Sequence, residues 1–175
     1  MSSGEFVRLV KLDRLPSAAL TIEASESERA ALAERFALPS IERLHAVTTL
    51  RRTGDAIDAT GRLDAAFHQR CAISDEPFAN RLDAPLAIRF VPTLAPGSDD
   101  EEMEFGADEP DEIEYDGASF DLGEAVAQSF GLALDPYAVG PDAEAVRRES
   151  GILDDNAPSG PFAALAALKT GSKES

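Results

Sequence analysis

The chain has 175 residues, 43% of them hydrophobic, and a formal net charge of −17. This length and hydrophobic content suffice for a folded domain and exclude a wholly disordered chain, while the negative charge disfavours a general nucleic-acid binder. The sequence has neither a signal-peptide pattern nor a run of about 18 apolar residues, which predicts a cytoplasmic protein without membrane contact.

The negative charge is concentrated in the second half of the chain. Residues 1–89 contain 12 Lys and Arg against 13 Asp and Glu, whereas residues 90–175 contain 4 against 20. The second half therefore favours a basic protein as its partner, and any contact with RNA has to use the neutral first half at short range.

The first predicted elements are a strand, a short extended piece and a helix. Apolar residues predict a strand over residues 5–12, and residues 21–23 resemble a second extended piece. Ser25 and Glu28 have the spacing of a capping box, which predicts a helix over residues 26–37.

The hydrophobic period then changes from 3.6 to 2 in residues 41–91. This alternation predicts an antiparallel meander with one face packed and one face in water. Gly61 inside a predicted strand indicates a bulge, and Pro85 indicates a sheet edge or an irregular point.

An acidic run interrupts the pattern. Eleven acids lie within the 18 residues from Asp99 to Asp116, and none of their neighbours in this run is basic. Their mutual repulsion predicts a mobile loop over residues 97–112. Residues 112–115 have alternating character and predict a short edge strand.

The most regular helical pattern of the chain comes next. Apolar residues at intervals of three and four predict a second main helix over residues 121–134, with Asp121 at its cap. Short helices are expected at residues 142–149 and 161–169.

These elements predict an α+β fold. We expect an antiparallel sheet formed mainly by residues 41–91, with strands added from residues 5–12 and 112–115 and two main helices packed on one face. Closure of this meander into a barrel is an alternative. Residues 5–137 are predicted to form a single domain, and residues 138–175 a poorly structured extension.

Two groups of charged residues are candidate contact sites. Arginines recur on the polar phases of the meander and suggest contact with RNA or a partner, although Asp55, Asp58, Asp64 and Asp83 could balance them as ordinary surface charge. The acidic run suggests a partner-binding segment, or simply a solvated tether. The arginines are Arg51, Arg62, Arg70, Arg81 and Arg89, and the acids are Asp99, Asp100, Glu101, Glu102 and Glu104.

No pattern in the sequence indicates catalysis. Cys71 is the single cysteine and is expected to be a small, half-buried and inert side chain whose pKa Asp75 and Glu76 raise. His45 and His68 have no partner at ligand spacing and are read as exposed surface residues. We therefore predict no enzyme activity, no cofactor, no metal site and no small-molecule substrate.

Three stretches together resemble a known family. They are ERAALAERFALPSIERLHA at 28–46, RCAISDEPF at 70–78 followed by RFVP at 89–92, and FDLGEAVAQSFGLALDPY at 120–137. Their order and spacing resemble the alphaproteobacterial branch of the YceD-like family, the large ribosomal RNA subunit accumulation proteins. The stretch GPFAALAALK at 160–169 resembles the close of that branch.

The resemblance implies a bacterial cytoplasmic protein that supports accumulation of 23S rRNA. Many members carry paired cysteines near the position of Cys71, which implies metal or nucleic-acid binding, but this chain has no second cysteine. We expect a non-catalytic ribosome-biogenesis factor that binds a ribosomal precursor or a basic ribosomal protein. Direct binding of rRNA through the arginines, or metal binding, are the alternatives.

Overall fold

The computed structural model describes residues 4–93 and 110–151. The chain divides into two compact units, Met1–Gln69 with Ala79–Pro136 and Arg70–Phe78 with Tyr137–Ser175. The first unit contains the sheets and the two main helices, and the second contains a shorter helix. The acids at positions 99–104 and the helix expected at 161–169 lie outside the described residues.

Strands and helices form largely where the sequence predicts them, which confirms the α+β fold. The strands are β1 (Leu9–Lys11), β2 (Leu20–Glu23), β3 (Ser40–Thr53), β4 (Ala56–Arg70), β5 (Pro77–Pro92), β6 (Asp111–Tyr115) and β7 (Ser119–Asp121). The helices are α1 (Glu26–Arg35), α2 (Leu122–Ala133) and α3 (Ala143–Glu149).

The main sheet has five strands in the order β2-β3-β4-β5-β6. β2 pairs antiparallel with β3, and β3 with β4. The short connection between β4 and β5 admits only an antiparallel pair, since a parallel crossover needs roughly a dozen residues. β6 is the predicted edge strand and runs parallel to β5. Because β2 and β6 are the two edges and do not pair with each other, the sheet is open and the barrel alternative is wrong.

The first strand does not join the main sheet, contrary to the prediction for residues 5–12. β1 pairs antiparallel with β7 in a separate two-stranded sheet, with Val10 opposite Phe120. The reason is the start of α2, where the N-cap Asp121 accepts a hydrogen bond from the backbone N–H of Arg8 at 2.8 Å. This bond fixes the amino-terminal segment beside α2.

Gly61 lies where two backbones approach closely, and it does not mark a bulge. The β3–β4 register is continuous where Gly61 faces Thr48, and the irregularity lies between Ile41 and Arg43 instead. A Cβ at Gly61 would lie 1.9 Å from the backbone oxygen of Val47. Glycine is therefore required here because any side chain would meet the neighbouring strand.

One face of the main sheet is buried, as its alternation predicts. Leu44, Leu63 and Ile88 on successive strands are at most 1% exposed and pack in one core with Leu32 of α1 and Val126 of α2. Both main helices thus belong to the same hydrophobic core. We call this the helical side of the sheet and the opposite face the solvent side.

Ion pairs and caps join the helices to the amino-terminal segment. The Arg8 guanidinium donates to both carboxylate oxygens of Glu28, at 2.7 and 2.9 Å. Glu28 also closes the capping box of α1 with Ser25, as predicted. In the same manner Arg35 donates to both oxygens of Glu124 in α2, at 2.9 and 3.0 Å. These contacts fix the positions of α1 and α2 relative to each other.

Candidate interaction surface

Two candidate arginines of the solvent side, Arg62 of β4 and Arg89 of β5, lie beside carboxylates. Arg62 donates to Oδ1 of Asp83 from Nε at 3.0 Å and from Nη2 at 2.6 Å. Arg89 lies 3.7 Å from Asp58 and 3.8 Å from Glu112. These pairs neutralise much of the positive charge that the sequence places on this face.

Two of the candidate arginines have no ion pair within residues 4–93 and 110–151. Arg51 is exposed and faces Asp58 across the β3–β4 ladder. Arg81 is exposed at the other end of the meander. The fifth, Arg70, belongs to the second unit, where it donates to the backbone oxygen of Asp75 at 3.0 Å and lies 3.5 Å from its carboxylate.

Cys71 is more acidic than the sequence indicates. Hydrogen bonds from the side chain and backbone of Ser74, and from the backbones of Gly140 and Ile73, lower the pKa of the Cys71 thiol to about 7. The expectation that nearby carboxylates raise this pKa is wrong, because the Ser74 hydroxyl and the backbone donors around the sulfur stabilise the thiolate. The thiol is buried, at 3% exposure, and no second thiol exists to pair with it.

His68 makes polar contacts that the sequence did not indicate. Its Nδ1 lies 2.7 Å from the Glu42 carboxylate and 3.1 Å from the Ser40 hydroxyl, and the hydroxyl also donates to Glu42. A nucleophile–base–carboxylate relay needs both ring nitrogens, one for the hydroxyl and one for the carboxylate. Here both partners contact the same nitrogen, so this arrangement does not form such a relay. His45 lies 4.0 Å from Asp64.

The β6 edge of the first unit carries unmatched negative charge. No Lys or Arg occurs in residues 110–136. Asp111, Glu114 and Asp116 are exposed and have no ion pair within the described chain. Glu112 shares Arg89 with Asp58. Whereas the solvent side is close to neutral, this edge is acidic.

A groove of about 830 Å³ lies beside β5, and we call it the β5 groove. Residues 84–88 of β5 and the end of α2, with Leu132 and Ala133, form its apolar wall. Its polar lining comes from several strands of the main sheet. The residues of this polar lining include Thr49, Arg51, Asp58, Thr60 and Asp111.

The described residues contain no group of three His, Cys, Asp or Glu side chains placed to hold a metal ion. Among these residues, no helix has the length and apolar character needed to cross a membrane.

The fold and its surfaces define an α+β protein with an open sheet, one neutral face and one acidic edge. Comparison with known protein families then identifies the family to which the chain belongs. Residues 59–169, more than half of the chain, match the model of the family described as "Large ribosomal RNA subunit accumulation protein YceD", and the chain belongs to this family. No curated protein and no solved structure matches the chain.

Sequence reasoning missed the β5 groove, whereas the balancing of arginines by Asp58 and Asp83 was one of the alternatives that it gave. The groove combines residues of β3, β4, β5, β6 and α2, so only the strand order brings them together. One signal was present in the sequence. Leu132 lies off the apolar helix face that Leu122, Val126 and Phe130 define in the sequence, so this leucine could be expected to add to the exposed apolar surface.

Proposed function

We propose that this protein supports the accumulation of large-subunit rRNA as a non-catalytic assembly factor, by binding a basic ribosomal protein on a precursor particle. The family to which the chain belongs is named for large ribosomal RNA subunit accumulation, and this supports the process. The resemblance to the alphaproteobacterial branch supports a bacterial and cytoplasmic setting.

The distribution of charge is the observation that carries the choice of partner. Arg62 and Arg89 are already neutralised by carboxylates, so they contribute little attraction for phosphates. The acids of the β6 edge have few counter-charges in the described residues, and the acids at 99–104 add to the same half of the chain. Such a surface attracts cations and repels RNA.

Co-sedimentation with ribosomal precursors tests the process. A strain that lacks the protein is complemented with a tagged copy, and precursor fractions and rRNA levels are measured. We expect the tagged protein in large-subunit precursor fractions and a fall in 23S rRNA in the deletion strain. Absence from every precursor fraction, together with normal rRNA levels, would reject the proposal.

Direct RNA binding is the second candidate because Arg51 and Arg81 are unpaired in the described structure. It predicts that replacing Arg51, Arg62 and Arg81 by Ala weakens RNA retention and flattens its salt dependence. Our proposal predicts that removing carboxylates from this face has the opposite effect. Neutralising Asp58, Asp64 and Asp83 as Asn should create salt-sensitive RNA binding that the natural chain lacks.

A further inference from the structure

The β5 groove has an exposed apolar lip. Leu132, in the last turn of α2, is 75% exposed, although it is one of the larger apolar side chains of the chain. It stands beside the apolar β5 residues 84–88 on the groove wall. A concave apolar wall with an exposed leucine at its rim is typical of a docking site, because it is energetically favourable to remove the wall and the leucine from water.

The charged residues that line the groove carry a net negative charge. Asp111 lines it from β6, and Arg51 of β3 lines it opposite Asp58 of β4. Neither Asp111 nor Arg51 has an ion pair within the described residues. Three strand intervals separate β3 from β6 in the sheet order, which corresponds to about 14 Å at the usual strand spacing. The lining therefore has two carboxylates against one guanidinium, and Asp111 at the β6 end is the carboxylate that has no ion pair within the described residues.

We propose that the β5 groove binds a short cationic segment of a protein partner, with an apolar side chain against Leu132 and a Lys or Arg beside Asp111. This inference rests on the proposed function and adds to it the surface and the type of peptide.

Charge complementarity selects this occupant over two others. A nucleic acid would bring phosphates to the carboxylates of the β6 edge. A second copy of the chain would bring another net charge of −17 towards the first. A basic segment meets neither form of repulsion, and an apolar side chain within it uses the wall that a purely ionic contact would leave in water.

Peptide titration tests the groove directly. The full-length protein is titrated into fluorescein-labelled peptides of sequence KLKLK, KSKSK and ELELE at low salt, and anisotropy is followed. We expect KLKLK to bind at least about tenfold more tightly than either control, because KSKSK lacks the apolar anchor and ELELE reverses the charge.

Variants of exposed residues assign the binding to the groove. Leu132→Ser should weaken KLKLK binding by about tenfold, which matches the free energy of burying one leucine. Asp111→Asn should weaken it by about twofold and reduce its dependence on salt. Leu9→Ser is the matched control, since Leu9 is 66% exposed on β1 and does not line the groove. Circular dichroism melting confirms that each variant folds.

Several results would overturn the inference. They are equal binding of all three peptides, or KLKLK binding that Leu132→Ser leaves unchanged. Self-association, or retention of an RNA oligonucleotide, that Leu132→Ser abolishes would assign the groove to a second copy or to RNA instead. If the peptide fails while the natural protein still co-sediments with precursors, only the groove is rejected. If KLKLK binds as expected and co-sedimentation fails, the ribosomal role is rejected.

Discussion

The two sides of the main sheet have ion pairs of similar length that differ in exposure and in what they stabilise. On the helical side, Arg8 and Glu28 meet at 2.7 Å with side chains 32% and 20% exposed. On the solvent side, Arg62 and Asp83 meet at 2.6 Å with side chains 65% and 63% exposed. The two pairs have similar distances but differ in their exposure to water. Water screens the exposed solvent-side pair, whereas it is partly excluded from the helical-side pair.

The difference also shows in what each pair touches. Glu28 accepts hydrogen bonds from Ser25 as well as Arg8, and Arg8 also donates to the backbone of Glu23. The helical-side pair thus holds three segments of the chain in place. The solvent-side pair joins β4 and β5, which the backbone hydrogen bonds already hold together. Its main effect is therefore to cancel positive charge that would otherwise attract RNA to this face.

The largest expected effect concerns the joint on the helical side, where the amino-terminal segment crosses α2. A Cβ at Gly123 would lie 2.3 Å from the backbone oxygen of Phe6, so Gly123→Ala should destabilise the protein by about 3 kcal/mol. Denaturant unfolding followed by circular dichroism measures this. Without the clash, alanine would stabilise the helix by about 1 kcal/mol, so a gain in stability would contradict the close approach. Gly131→Ala, which meets only the movable ring of Phe36, should cost less.

Removing the charge of Glu28 should have the next largest effect. Hydrogen bonds from Arg8, and secondarily from Ser25, lower the pKa of Glu28 to about 2. Glu28→Gln should therefore reduce the free energy of unfolding by about 2 kcal/mol at pH 7.

The pH dependence of this effect follows from the sign of the shift. A lowered pKa means that the stabilisation is complete above the ordinary glutamate value of 4.5 and is lost as pH falls towards 2. Denaturant unfolding at pH 7, 4 and 2.5 should show the natural chain and Glu28→Gln converging at low pH. Glu26→Gln, an exposed residue of the same helical turn, is the control and should change little. A difference that persists unchanged at pH 2.5 would refute the ionic origin.

A smaller effect of opposite sign is expected at Thr48. Its hydroxyl faces the core on the helical side and has no hydrogen-bond partner within the described residues. Thr48→Val replaces this hydroxyl with a methyl group of similar size, so it should raise the free energy of unfolding by about 1 kcal/mol. Loss of stability in the melting or denaturant curve would mean that the hydroxyl is satisfied in solution.

The smallest effect should come from the solvent side. Asp83→Asn removes the partner of Arg62, but both side chains are well exposed, so the free energy of unfolding should change by less than about 0.5 kcal/mol. The same denaturant measurement applies. A loss comparable with that of Glu28→Gln would show that the two sides of the sheet do not differ in the manner described.

The sequence could predict the elements better than their partners. Alternation in residues 41–91 identified the three long strands and their buried face, and the spacing of Ser25 and Glu28 identified the start of α1. These are local patterns, so the chain itself contains the information. β1 was assigned to the wrong sheet because a strand of three residues does not specify which strand it pairs with.

The candidate surface was less predictable for the same reason. The pair of Arg62 and Asp83 joins residues 21 positions apart, and it depends on the register between β4 and β5. The pKa of Cys71 depends first on the Ser74 hydroxyl, and then on backbone donors that include Gly140, which is distant in sequence. Composition gave the overall charge, but only strand order shows which charges cancel and which remain.

The hydroxyl of Tyr115 donates a hydrogen bond to the backbone oxygen of Asp55, 2.8 Å away and 60 residues earlier in the chain. The protein contains two tyrosines and no tryptophan. In a Tyr137→Phe variant, Tyr115 would therefore be the sole tyrosine, and its ultraviolet emission would report the attachment of the edge strand to the β3–β4 turn. Intrinsic tyrosine fluorescence could thus follow the opening of this end of the sheet without an attached dye.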